Sequence, residues 1–128
     1  MAWTERQIQD VWDRASIVVG YDKDSFRKDA CGAWIIRTKY GDKDSLYGWE
    51  IDHIVPSALL VDKGYSQDAI DNPMNLRALQ HDNNSSKSDD YPSYTAVVTS
   101  KGTENVREMN FLKVNDSKQE SLKKLYNL

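Results

Sequence analysis

The stretch Trp49-Glu50-Ile51-Asp52-His53-Ile54-Val55-Pro56 decides how this chain is read. Aromatic and β-branched residues entered after Gly48 point to a strand. Alternation along it places Trp49, Ile51 and His53 on one side and Glu50 and Asp52 on the other. Asp52 and His53 are adjacent, so they can serve one site only where the strand ends or distorts. Pro56, three residues beyond His53, fits an end at that point.

Downstream, residues 54–74 contain Pro56, Gly64 and Asp71-Asn72-Pro73. They read as a long loop with a helical turn near Ser57-Ala58-Leu59-Leu60, and so long a connection in a small domain is usually functional. Asn75-Leu76-Arg77-Ala78-Leu79 reads as a second short strand, whereas residues 81–89 are polar and by themselves read as loop.

Upstream, Ala33-Trp34-Ile35-Ile36-Arg37 fits either a strand or the end of a short helix begun near Ser25, and residues 40–45 are turn-like. The N-terminal helix is better signalled. Thr4 and Gln7 form a capping box, Trp3 and Ile8 occupy staple positions, and Ile8, Val11, Trp12 and Ala15 share one face. Residues 18–22 then turn the chain. Residues 94–114 suggest a hairpin around Lys101-Gly102-Thr103-Glu104-Asn105. A final helix, opened by a capping box from Ser117 to Glu120, carries Leu122, Leu125 and Tyr126.

A length of 128 residues allows one domain with a modest core, and no repeat or linker divides it. The single cysteine, Cys31, excludes an internal disulfide and any Cys-rich zinc site. No apolar run approaches membrane-spanning length, and the N-terminus lacks the basic-then-apolar order of a signal peptide. The expected location is cytoplasmic, with no membrane contact.

The net charge of −3 argues at first against a nucleic-acid partner. Its distribution is uneven, however. Residues 1–49 are neutral, with eight basic and eight acidic side chains; residues 91–128 have six basic and four acidic. Residues 50–90 hold three basic and eight acidic residues. Such a concentration is either a solvated acidic face or a site expecting a hard divalent cation.

The order Asp52-His53-Ile54-x-Pro56, a long loop, Asn75-Leu76-x-x-Leu79 and Asn84-x-x-Lys87 closely resembles the HNH endonuclease family, including the HNH domain of RNA-guided DNA nucleases. The resemblance covers residues 49–92, about a third of the chain. It implies an α+β fold with a ββα-metal (His-Me finger) core, flanked here by the N-terminal helix, the C-terminal hairpin and the C-terminal helix. Within that core it puts residues 81–89 on a short helix over a two-stranded ribbon, overriding their reading as loop.

The chemistry shows why these residue types recur. Hydrolysis of an anionic phosphodiester needs an activated water and compensation of the charge growing on the leaving oxygen. The resemblance makes His53 the general base, a role suited to a side chain that titrates near neutrality. It makes Asp52 and Asn84 ligands of one Mg²⁺ or Mn²⁺, with Asn83 and His81 competing with Asn84 for the third position and Asn-x-x-Lys favouring Asn84. It gives Asn75 a catalytic supporting role, holding the base and the metal loop by hydrogen bonds, and Lys87 a phosphate contact. Glu50 is left between supporting the site and facing solvent, and Arg77 has no special claim.

The chain departs from zinc-knuckle relatives. The two Cys-x-x-Cys positions read Cys31-Gly32-Ala33-Trp34 and Gln80-His81-Asp82-Asn83, so no structural zinc is expected. The expected function is a metal-dependent DNA endonuclease. RNA remains an alternative substrate, and a homodimer or a targeting partner could supply specificity. The competing expectation is a binding or interaction module that keeps the fold without turnover.

Overall fold

The computed structural model describes residues 3–128; Met1 and Ala2, part of the stretch scanned for a leader, lie outside them. Helix α1 (Glu5–Asp13) starts as its sequence dictates. The Thr4 hydroxyl accepts from the Gln7 amide at 3.1 Å, and the Gln7 side chain accepts from the Thr4 amide at 2.9 Å. Ile8, Val11 and Trp12 are buried along its inner face.

Strands β1 (Phe26–Lys28) and β2 (Trp34–Ile36) pair antiparallel, which settles the 33–37 segment as strand. Asp29 closes their turn, one carboxylate oxygen accepting from the amides of Cys31 and Ala33 at 2.9 Å each.

Strands β3 (Trp49–His53) and β4 (Leu76–Gln80) pair antiparallel, with Asp52 opposite Arg77 and His53 opposite Leu76. β3 ends at His53, as Pro56 implied. The connection between them is more ordered than a loop. It carries helices α2 (Ser57–Asp62) and α3 (Gln67–Ile70), because Leu60 and Ile70 both bury into the core beside Leu122 and Tyr126.

Helix α4 (His81–Lys87) follows β4 without a linker, and the Gln80 side chain caps it by accepting from the amides of Asp82 and Asn83. Its buried residues are His81, Asn83 and Lys87. A helix with a polar inner face produces no apolar period, which is why the segment reads as loop in isolation.

Strands β5 (Ser93–Lys101) and β6 (Glu104–Lys113) form the expected hairpin, turning at Gly102-Thr103 with Gly102 at φ +61°. Helix α5 (Asp116–Tyr126) opens two residues earlier than expected. Its cap is Asn115, whose side chain accepts from the Lys118 amide at 2.7 Å, so Ser117 is already helical. The chain is thus a mixed α+β fold of small antiparallel sheets and, among the described residues, five α-helices. None of these helices is long and apolar enough to cross a membrane.

One apolar cluster joins Ile8, Val11, Trp12 and Ile35 to Trp49, Ile51, Leu76 and Ala78 on one face of β3–β4. A second gathers Ile54, Leu60, Ile70, Leu79, Tyr94 and the α5 residues Leu122 and Tyr126.

Candidate functional site

The β3 residues that alternation directs away from α1 are Glu50 and Asp52, and both meet α4. Asn84 donates from Nδ2 to Glu50 Oε1 at 2.9 Å. Three residues on, Lys87 Nζ lies 3.4 Å from Asp52 Oδ1 and also donates to the His53 carbonyl at 3.2 Å. Two strand residues and three helix residues thus keep step, so one helix face reads both carboxylates.

Asp52 is 5% exposed and has a second cation: Arg77, opposite it on β4, donates from Nε to Oδ2 at 3.1 Å. The cluster therefore sets one carboxylate against two cations, Lys87 fully buried and Arg77 partly exposed. Burial pushes the Asp52 carboxyl above its ordinary range despite Lys87 and Arg77. Burial likewise pulls the Lys87 ammonium below its own, with Asp52 opposing. Among the described residues one buried side-chain polar atom remains unsatisfied, Nη2 of Arg77. A buried guanidinium nitrogen without an acceptor is uncommon.

His53 leaves the strand on the other side. Its Nε2 lies 2.7 Å from Asp71 Oδ1, and Trp3 packs near the ring with centroids 5.4 Å apart. A carboxylate can only accept, so Nε2 carries a proton and, in the neutral ring, Nδ1 presents the lone pair. Asp71 also accepts from Gln67 Nε2 at 3.0 Å, which fixes the carboxylate at the end of α3.

Asn75 is fully buried and grips the connection from both ends. It accepts from the Val55 amide at 2.7 Å and donates to the carbonyls of Val55 and Ile70 at 3.1 Å each. Its own carbonyl accepts from Ile54 N at 2.8 Å. The residues bracketing His53 and Asp71 are therefore held by one amide.

The rivals for the amide ligand position are committed elsewhere. Asn83 accepts from the Val97 and Val98 amides at 2.9 Å each and donates to Asp29 and to the Val98 carbonyl, clamping the irregularity in β5. His81 turns its Nε2 to the Ser45 carbonyl at 2.8 Å and its Nδ1 toward Asp82. Asn84 stands over β3, and its carbonyl oxygen has no partner among the described residues.

Lys87 requires a correction. A phosphate contact needs a reachable ammonium, and this side chain is 0% exposed and engaged with Asp52 and the His53 carbonyl. It serves as an internal counter-ion.

Glu50, Asp52 and the Asn84 carbonyl supply hard oxygens on one side of β3, the donor type that magnesium or manganese prefers. A carboxylate offers about four lone-pair directions, and Arg77 and Lys87 use two of those on Asp52. The donor set therefore fits a hard divalent cation chemically, while the two neighbouring cations weaken its hold. Among the described residues no three His, Cys, Asp or Glu side chains gather as a cage, so water and substrate would supply most ligands.

Asp71 and Arg77 are the residues whose importance the sequence conceals. Asp71 sits in an Asp-Asn-Pro segment that signals only a turn, and Arg77 is a lone cation in a short strand. Each gains its role from a partner 18 or 25 positions away. Comparison with protein-family models, with curated proteins and with solved structures finds no match to this chain, so the chemistry of the site rests on its own residues.

Proposed function

We propose that this chain is a metal-dependent endonuclease of the HNH type, with a ββα-metal core formed by β3, β4 and α4, that hydrolyses phosphodiester bonds in DNA. One observation carries the reading: His53 ends β3 with Nε2 held by Asp71, on the strand that also bears Glu50 and Asp52 beneath Asn84 of α4.

Asp71 holds the ring and its tautomer, so Nδ1 can take a proton from an attacking water. Asn75 positions this pair from behind and touches no reacting atom. Magnesium or manganese, held by Asp52 and Asn84 with Glu50 beside them, would offset charge on the scissile phosphate and the leaving oxygen. Lys87 ties Asp52 to the His53 carbonyl, so the end of β3 cannot drift from α4.

Cleavage of supercoiled plasmid in Mg²⁺ or Mn²⁺, abolished by EDTA, is the direct test. His53→Ala should lower the rate by about 100-fold or more and leave DNA binding unchanged. Asp71→Asn should also slow cleavage without changing DNA affinity, because a neutral amide no longer stabilises the imidazolium that forms when His53 takes the proton. Cleavage of the His53 variant at more than about a tenth of the wild-type rate would refute the assignment.

A second reading is supported by the engagement of Asp52 with two cations: a nucleic-acid-binding module without turnover. It predicts DNA binding with no cleavage by the wild-type protein in either metal.

A further inference from the structure

The unpartnered nitrogen of Arg77 belongs to a side chain that also lines a cleft of about 600 Å³. This cleft lies between the end of α1, β4 and the start of α5. Its walls bring together Arg14, Arg77 and Lys118 with the hydroxyl residues Ser16, Ser117 and Ser121.

The charge balance there is one-sided. The guanidinium of Arg14 bonds the Pro73 carbonyl, and neither Arg14 nor Lys118 has a carboxylate partner among the described residues. Arg77 shares its carboxylate, Asp52, with Lys87. Lys28 lines the same cleft with its ammonium over the Trp34 ring, and Lys113 pairs with Asp116. The one acid in the lining, Asp29, is spent: its two oxygens accept from the amides of Cys31, Ala33 and Gln80 and from Asn83 Nδ2.

We propose that this cleft is a phosphate-binding site, in which Arg14, Arg77 and Lys118 neutralise the anion and the Ser16 and Ser117 hydroxyls donate to its oxygens. A phosphate is the anion this arrangement suits: it carries charge to match several cations and enough oxygens to accept from guanidinium, ammonium and hydroxyl together. The start of α5 adds its own favourable dipole end on the same wall. Burial depresses the Lys118 ammonium, and Arg14 and Arg77 push it the same way, as expected of cations converging with no anion between them. The inference does not require the nuclease reading, because binding alone tests it.

Two probes in EDTA, where no turnover occurs, distinguish the sources of the phosphate. Inorganic phosphate titrated into the ¹⁵N-labelled full chain should shift the amides of Ser117 and Lys118 saturably. A short fluorescein-labelled DNA duplex, followed by anisotropy across a salt series, reports a strand phosphate. In the double variant Arg14→Gln/Lys118→Gln the phosphate-induced shifts should vanish. DNA affinity should fall roughly tenfold, with a salt slope shallower by about 0.9 per lost contact, if the phosphate comes from a strand. Lys101→Gln, which removes a charge from the β5–β6 turn, should change neither measurement. Loss of the shifts with DNA binding intact assigns the cleft to a free phosphoanion. Retention of both responses by the double variant, its melting temperature unchanged, or no response of the wild-type protein to either probe, overturns the proposal.

Discussion

The two faces of β3 bury side chains of opposite kinds. Toward α1, Trp49 and Ile51 meet Trp12, Ile8 and Val11, with the Trp12 and Trp49 rings 5.4 Å apart. Toward α4, the same strand buries Asp52 against Lys87 and Arg77 and half-buries Glu50 against Asn84. The apolar face gains free energy from each contact independently, since leaving water is favourable for every side chain on it. The polar face gains only as a set. Desolvating Asp52 or Lys87 is costly, and each is tolerated because the other is there. One face can therefore be eroded gradually, whereas the other fails when any member is lost.

Asp52→Ala and Trp49→Ala should be the most damaging single changes, each costing about 3–5 kcal/mol in denaturant unfolding, for different reasons. The first leaves the buried Lys87 and the partly buried Arg77 without their carboxylate, and the second opens a cavity. The contrast lies in rescue: Lys87→Met added to Asp52→Ala should recover part of the loss, and no charge change should help Trp49→Ala. Failure of Lys87→Met to improve Asp52→Ala would show that the polar face is held by packing rather than by pairing.

Asn75→Ala is next in size. It leaves the Val55 amide and the carbonyls of Val55 and Ile70 unpaired in the core, at about 1–3 kcal/mol for a buried group so stranded. Because those bonds bracket His53 and Asp71, cleavage should fall further than stability predicts.

A smaller effect follows from pH. Burial holds the folded pKa of Lys87 below 10.5, so between that depressed value and 10.5 the unfolded chain binds more protons. The wild-type protein therefore gains stability from this residue as pH rises through that window, and Lys87→Met cannot. The melting temperature of the variant relative to wild type should decline from neutral pH toward 10.5. A constant difference would mean that Lys87 titrates alike in both states.

The smallest change concerns Cys31. Burial chiefly, with Asp29 nearby, pushes its thiol up to about 12. Labelling by a thiol reagent at pH 8 should be slow in the folded protein and fast in denaturant.

Wherever neighbours in sequence carry the physics, the chain could be read directly. The Thr4–Gln7 cap, the Ile8-Val11-Trp12 face, the alternation along β3 and the turn at Gly102 are local, and each stands where its residues placed it. Helix α4 was visible only through the HNH resemblance, because His81, Asn83 and Lys87 bury a polar face that leaves no apolar period. The C-terminal cap moved from Ser117 to Asn115, a choice between two good capping residues that local sequence does not make.

By itself the sequence determined which groups the chain can offer: an imidazole at His53, oxygens at Asp52 and Asn84, an amide at Asn75 and one thiol. The tertiary structure alone decided which of these groups meet. Asp71 reaches His53 because Ile70 anchors α3 in the core, and Lys87 is withdrawn from solvent because α4 sets it against Asp52 and the His53 carbonyl. Arg77 is split between Asp52 and the cleft because β4 runs antiparallel in that register. Hydrogen bonds and ion pairs act over a few ångströms, so partners distant along the chain are chosen by the path of the backbone, which composition and spacing do not encode.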